Sequence, residues 1–134
     1  MKILGIGIDI VENARIESSL ARFGDRFVRR VFTGEEIAYC APMKFPARHY
    51  AARFAAKEAV SKAFGTGIGE AMGWLDIEVR RSAGGGPVCV LHGGAAEMAA
   101  KLGGVSVLLS LTHTDTSAAA SVVLVSPAQD RQEA

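Results

Sequence analysis

The stretch Arg53 to Gly65, RFAAKEAVSKAFG, constrains the fold more than any other, because its alanine spacing permits few kinds of packing. At about 100° per residue, Ala55, Ala56, Ala59, Val60 and Ala63 fall on one side of a helix, with Phe54, Lys57, Glu58, Ser61 and Lys62 on the other. A helix is predicted over 47–64, with Pro46 suited to its first turn and Gly65 as its stop. The small side chains of Ala55, Ala59 and Ala63 would let the helix axis come close to a sheet. The opposite side reads as a charged face. Its Glu58 and Lys62 are either an ordinary i, i+4 pair worth about 0.2–0.5 kcal/mol, or a carboxylate for a metal beside an ammonium for a phosphate.

An acid elsewhere bears on that choice. Residues 1–11 read as a strand covered on both faces, being apolar almost throughout. Asp9 lies inside it, and strand alternation puts Gly5, Gly7 and Asp9 on one face, so backbone lies open beside a carboxylate. A buried unpaired carboxylate is costly, so Asp9 needs a cation or several donors; a helix cap or a salt bridge at the strand end is the other reading. If Asp9 meets Glu58, two carboxylates with open positions fit Mg²⁺, which keeps waters and takes phosphate oxygens. No zinc-type set is present.

The 134 residues suit one domain, assigned here to 1–126, with a polar tail at 127–134 that reads as frayed. A net charge of +1 with 22% charged residues gives no bulk attraction to nucleic acid or to a membrane surface. Cys40 and Cys89 lack any paired spacing and read as core thiols. A strand directly after Met1 leaves no room for a signal peptide, and no apolar run reaches the length of a membrane helix, so a cytoplasmic location is expected.

Asn13 is placed as the cap of a helix through Phe23, stopped by Gly24. Arginines 15, 22, 26, 29 and 30 face only Glu17 and Asp25 in the same stretch, an excess that suits an acidic partner, phosphates or plain solvent. Thr33 and Glu36 have capping-box spacing for a short helix to Cys40. His49, on the long helix, reads as a partly exposed residue. The glycine-rich run 65–69 follows a helix instead of preceding one, so it is no phosphate cradle of the Walker kind; it suits tight turning or close approach by a ligand or neighbouring chain. Strands are expected at 74–80, 88–91, 105–111 and 118–125, with a helix over 94–102. His113, among hydroxyls at a strand end, is either a phosphate contact or a turn residue. The order gives an α+β domain, a mostly antiparallel sheet packed against a long central helix.

Gly5-Ile6-Gly7-Ile8-Asp9-Ile10-Val11-Glu12 and Arg53-Phe54-Ala55-Ala56-Lys57-Glu58-Ala59 together resemble the two signature motifs of holo-acyl-carrier-protein synthase, the small bacterial 4'-phosphopantetheinyl transferase. The likeness continues through residues 62–69, Asp76-Ile77-Glu78 and Thr112-His113-Thr114. It implies a transferase-like fold and transfer of phosphopantetheine from coenzyme A to a serine of apo acyl carrier protein in fatty acid biosynthesis, releasing adenosine 3',5'-bisphosphate. It further implies Asp9, Glu58 and Lys62 as catalytic residues, with Mg²⁺ on Asp9 and Glu58. Arg53, Lys62, Gly65 and His113 would then contact coenzyme A. Glu58 or a water on the metal would be the base, a choice the sequence leaves open. Arg15 and Arg22 match positions for the acidic carrier, and relatives of this size form homotrimers with coenzyme A between chains. A departure is Gly85-Gly86-Pro87, where many relatives carry a lysine before the proline, so a basic contact from this turn is in doubt. A non-catalytic binder of nucleotide or carrier, and a transferase serving peptide-synthetase carriers, are the competing readings.

Overall fold

The computed structural model describes residues 1–127. Strand β1 (Ile3–Glu12) leads into helices α1 (Asn13–Phe23), α2 (Asp25–Val31), α3 (Gly34–Cys40) and α4 (Pro46–Ala63). A single 3-10 turn at Trp74–Asp76 precedes the strands β2 (Ile77–Arg81) and β3 (Pro87–Leu91). Helix α5 (Gly93–Lys101) and strands β4 (Ser106–His113) and β5 (Ser117–Val125) complete the described chain. The strands form two antiparallel sheets, β1-β5-β4 and the hairpin β2-β3, in place of one. Most of the expected tail, 128–134, lies outside the described residues.

Helix α4 is the core of the molecule. Ala51, Ala55, Ala56, Ala59 and Val60 are fully buried, and the alanine stripe lies on β1 and β5. The close approach has a partner on the strand. A Cβ on Gly5 would strike the carbonyl oxygen of Ala63, and one on Gly7 the carbonyl oxygen of Ala59. Gly5 and Gly7 therefore do share a face with Asp9, but the space they leave is filled by the α4 backbone and is not open to a ligand. Gly7→Ala should cost at least about 1–3 kcal/mol, because backbone on both sides must move apart; chemical denaturation of the variant measures it.

Three other expectations are corrected. Strand β1 is covered on one face only: Ile6, Ile8 and Ile10 are 71%, 69% and 68% exposed on the other. These join Leu108, at 54%, on one apolar outer face, since Ile6 and Leu108 both pair with Val123. The side of α4 read as charged is also mostly inside: Phe54, Lys57 and Ser61 are buried, because α3 and β2 cover what the sheet does not. Asn13 does not cap through its side chain; its amide donates to the Thr114 carbonyl at 3.0 Å and ties α1 to the β4–β5 turn. The capping box at Thr33 and Glu36 forms as read. Residues 25–31, given no element from sequence, form α2, with Val28 and Val31 turned inward.

Candidate active site

Asp9 lies near the end of β1, where the inner face of the strand emerges from under α4. From the last turn of α4, Lys62 Nζ donates to Asp9 Oδ1 at 2.8 Å and to the Ile8 carbonyl at 3.2 Å. Glu58 stands one turn before Lys62 and is half-buried. Burial, and then the negative charge of Asp9, raise the Glu58 carboxyl above the ordinary carboxylate value, against the opposing pull of Lys62 and Arg15. The hydrogen bond to Asp9 raises the Lys62 ammonium. The structure thus brings Asp9, Glu58 and Lys62 together from points about fifty residues apart in the chain.

The donor chemistry of this cluster fits a hard divalent cation. Two carboxylates repel each other across it, and the ammonium of Lys62 already supplies positive charge at the place where they need it. Among the described residues no group of three or more His, Cys, Asp or Glu forms. A two-carboxylate site suits Mg²⁺, which keeps waters and accepts substrate oxygens, better than a softer metal that wants a full protein cage.

A second cleft of about 250 Å³ opens on another side of α4, with Arg53, His49, His113, Tyr39, Arg81 and Pro87 on its walls. Arg53 is 5% exposed, lies with its guanidinium 4.2 Å above the Tyr39 ring, and leaves its Nε without a partner. Arg81 reaches the same ring and donates to Tyr39 Oη at 2.7 Å. The His49 and His113 rings are 5.4 Å apart. Burial, then the positive surroundings of His113, Arg53, Arg81 and Arg48, lower the His49 pKa below 6.5. Arg53 and Arg81 give this cleft a cationic wall, a lining that suits an anion.

A third cleft, of about 590 Å³, runs between α1, α2 and the 3-10 turn. Arg15, Arg26 and Arg30 supply its charge; Phe23, Phe54 and Trp74 supply its apolar walls. The Arg15 guanidinium sits 5.2 Å over the Phe54 ring, whose other neighbour is Trp74 at 4.7 Å.

The family model of the 4'-phosphopantetheinyl transferase superfamily matches residues 5–122, which holds all three groups. The chain belongs to this superfamily. The holo-[acyl-carrier-protein] synthase of Koribacter versatilis is 52% identical over 122 residues, covering 91% of this chain and 98% of that protein. Among solved structures, holo-[acyl-carrier-protein] synthase from Neisseria meningitidis superposes with a TM-score of 0.85 at 35% identity, covering 92% and 99% of the two chains. The Helicobacter pylori enzyme in complex with coenzyme A gives 0.79 at 36%, covering 90% and 99%.

Within this superfamily member the residues read from sequence divide into two sets. Asp9, Glu58 and Lys62 meet; Arg53 and His113 meet elsewhere. Arg53 and Glu58 are five residues apart on one helix, about 140° around its axis, so they look in different directions. Gly65 stands at the α4 terminus with φ 83°, a conformation glycine adopts freely, and reverses the chain beyond Lys62. Sequence reasoning missed Tyr39 and Arg81 and set His49 aside. The turn that lacks a lysine is still served by a cation, because Arg81 on β2 lines the cleft beside Gly85 and Pro87. No local spacing announces that, since Tyr39, Arg53 and Arg81 come from three different elements.

Proposed function

We propose that this chain transfers the 4'-phosphopantetheine group of coenzyme A to a serine hydroxyl of an apo acyl carrier protein of the fatty-acid type, in the cytoplasm, with Mg²⁺ on Asp9 and Glu58. The observation that carries the reading is the meeting of Asp9, Glu58 and Lys62. In the reaction the serine oxygen bonds to the phosphorus that carries the pantetheine arm. The bond from that phosphorus to the bridging oxygen breaks, and adenosine 3',5'-bisphosphate departs with the electron pair. A bound Mg²⁺ supplies charge neutralisation on the diphosphate. Lys62, free to turn from Asp9, adds an ammonium for the leaving phosphate. Glu58, half-buried beside Asp9 and Lys62, would offer a carboxylate oxygen for the serine proton.

The cationic cleft around Arg53 and His113 is read as the seat of the nucleotide phosphates. Because it and the acid pair face different sides of α4, a long ligand that touches both is best placed between neighbouring copies. The apolar outer face of β1 and β4 supports a homotrimer, since a bare isoleucine row on a sheet is otherwise an aggregation hazard. The 590 Å³ cleft is read as the carrier dock: arginines for an acidic helix, aromatic rings for its apolar side.

Mass spectrometry of apo carrier protein after incubation with the chain, coenzyme A and Mg²⁺ tests the function. A gain of one phosphopantetheine is expected; an unchanged mass would leave a binder and reject the enzyme. Reversing one cleft charge, Arg15→Glu, should raise the carrier KM by about tenfold and leave the coenzyme A KM within about twofold. Equal losses in both would contradict the assignment of the cleft.

Nucleotide binding should also depend on His49. Burial and then the positive surroundings lower the His49 pKa, and phosphate in the cleft would offset the second of these, so binding takes up a proton there and tightens as pH falls. Calorimetry with adenosine 3',5'-bisphosphate at about pH 5.5 and about pH 8 reads this as the difference between the native chain and His49→Gln. Identical pH profiles would remove His49 from the site.

A further inference from the structure

Lys57 precedes Glu58 in the chain, yet its side chain is 0% exposed. It cannot touch a substrate from there. Its ammonium has three hydrogens and three partners: the Glu36 carboxylate at 2.7 Å, the Trp74 carbonyl at 2.9 Å and the Ile77 carbonyl. Glu36 is equally enclosed, at 0% exposure, and its remaining capacity goes to the Thr33 and Val79 backbone N–H groups at 2.9 and 2.8 Å.

An ion pair sealed in this way is a poor means of gaining stability, because an apolar pair of similar volume does as well or better. What it gives is directional hold. Lys57 grips both ends of the 3-10 turn that carries Trp74. That turn needs holding, since the preceding run from Gly65 to Gly73 has no helix or strand and contains four glycines. The Trp74 ring rests on Phe54, Phe54 lies under Arg15, and all three line the 590 Å³ cleft.

We propose that Lys57 is a positioning residue for the carrier dock: by clamping the backbone at Trp74 it fixes the wall against which the partner helix is bound. The proposal rests on the reading of that cleft as the carrier site. It also predicts that Trp74 is itself a carrier contact, and Trp74 is the sole tryptophan of the chain, so its emission reports on one place.

The test removes both charges together, Glu36→Gln with Lys57→Met, so that neither is left buried alone. Emission from Trp74 should shift to longer wavelength. Carrier affinity, titrated without coenzyme A, should fall by about tenfold, while Mn²⁺ affinity at Asp9 and Glu58 stays within about twofold. Unchanged carrier affinity would overturn the clamp, and so would equal losses for carrier and Mn²⁺, which mark a general loosening. Should the double variant fail to fold, Trp74→Leu decides: carrier affinity lowered about tenfold with Mn²⁺ binding intact supports the proposal, and unaltered carrier affinity overturns it. A native chain that binds no carrier would reject the functional reading itself, whereas native binding with equal variant binding would reject only the clamp.

Discussion

Asp9→Asn and Glu58→Gln should each lower the rate of phosphopantetheine transfer by about 10³-fold or more, with thermal unfolding close to that of the native chain. The magnitude follows from charge. Several kcal/mol of transition-state stabilisation on a diphosphate depend on one cation, and each 1.36 kcal/mol is a factor of ten. Folding should survive because neither acid is used to build the core. The Asp9 carboxylate meets Lys62, which is half in solvent, and such pairs contribute little to stability. For Glu58, loss of a carboxyl whose charged form is disfavoured by burial removes a cost, not a support. Steady-state transfer assays beside a thermal melt check both halves. Full activity in either variant would end the assignment of the acid pair.

If the bare face of β1 joins copies as proposed, Ile8→Glu is expected to leave monomers and to take transfer down with it. Ile8 lies in the middle of the bare row Ile6, Ile8, Ile10, and fully burying one such side chain is worth about 1.5–3 kcal/mol. Reversing that gain while bringing carboxylates into a shared apolar face should separate the copies. The inner face of β1 is untouched, so circular dichroism should not change. Activity should fall because the acid pair and the cationic cleft lie about 140° apart around α4. On the proposed reading, a neighbouring copy brings the two sets onto one ligand. Ultracentrifugation gives the mass; a fully active monomer would contradict the shared site.

Much of this was legible in the chain, though not always for the right reason. Alternation puts Gly5 and Gly7 on the face of Asp9, but it says only which way a side chain points, not what fills its absence. The α4 backbone does. The capping box at Thr33 was readable because its two bonds span three residues. Sequence puts Lys57 on the outside because a lysine is rarely buried, and the rule fails when a distant Glu36 arrives to pair with it. Strand β1 reads as covered on both faces because an apolar row left on the outside looks the same in sequence as a row destined for the core. The acid pair was inferred from the expense of Asp9 in a strand, together with a motif likeness. The Tyr39–Arg81 side of the cationic cleft had no such signal.

Crystals grown with Mn²⁺ and coenzyme A offer the shortest route to a decision, since manganese scatters anomalously and marks its own position. A peak between the carboxylates of Asp9 and Glu58, with the diphosphate against it and Lys62 turned away from Asp9, is the expected outcome. A diphosphate bound with no manganese at those two side chains would contradict it.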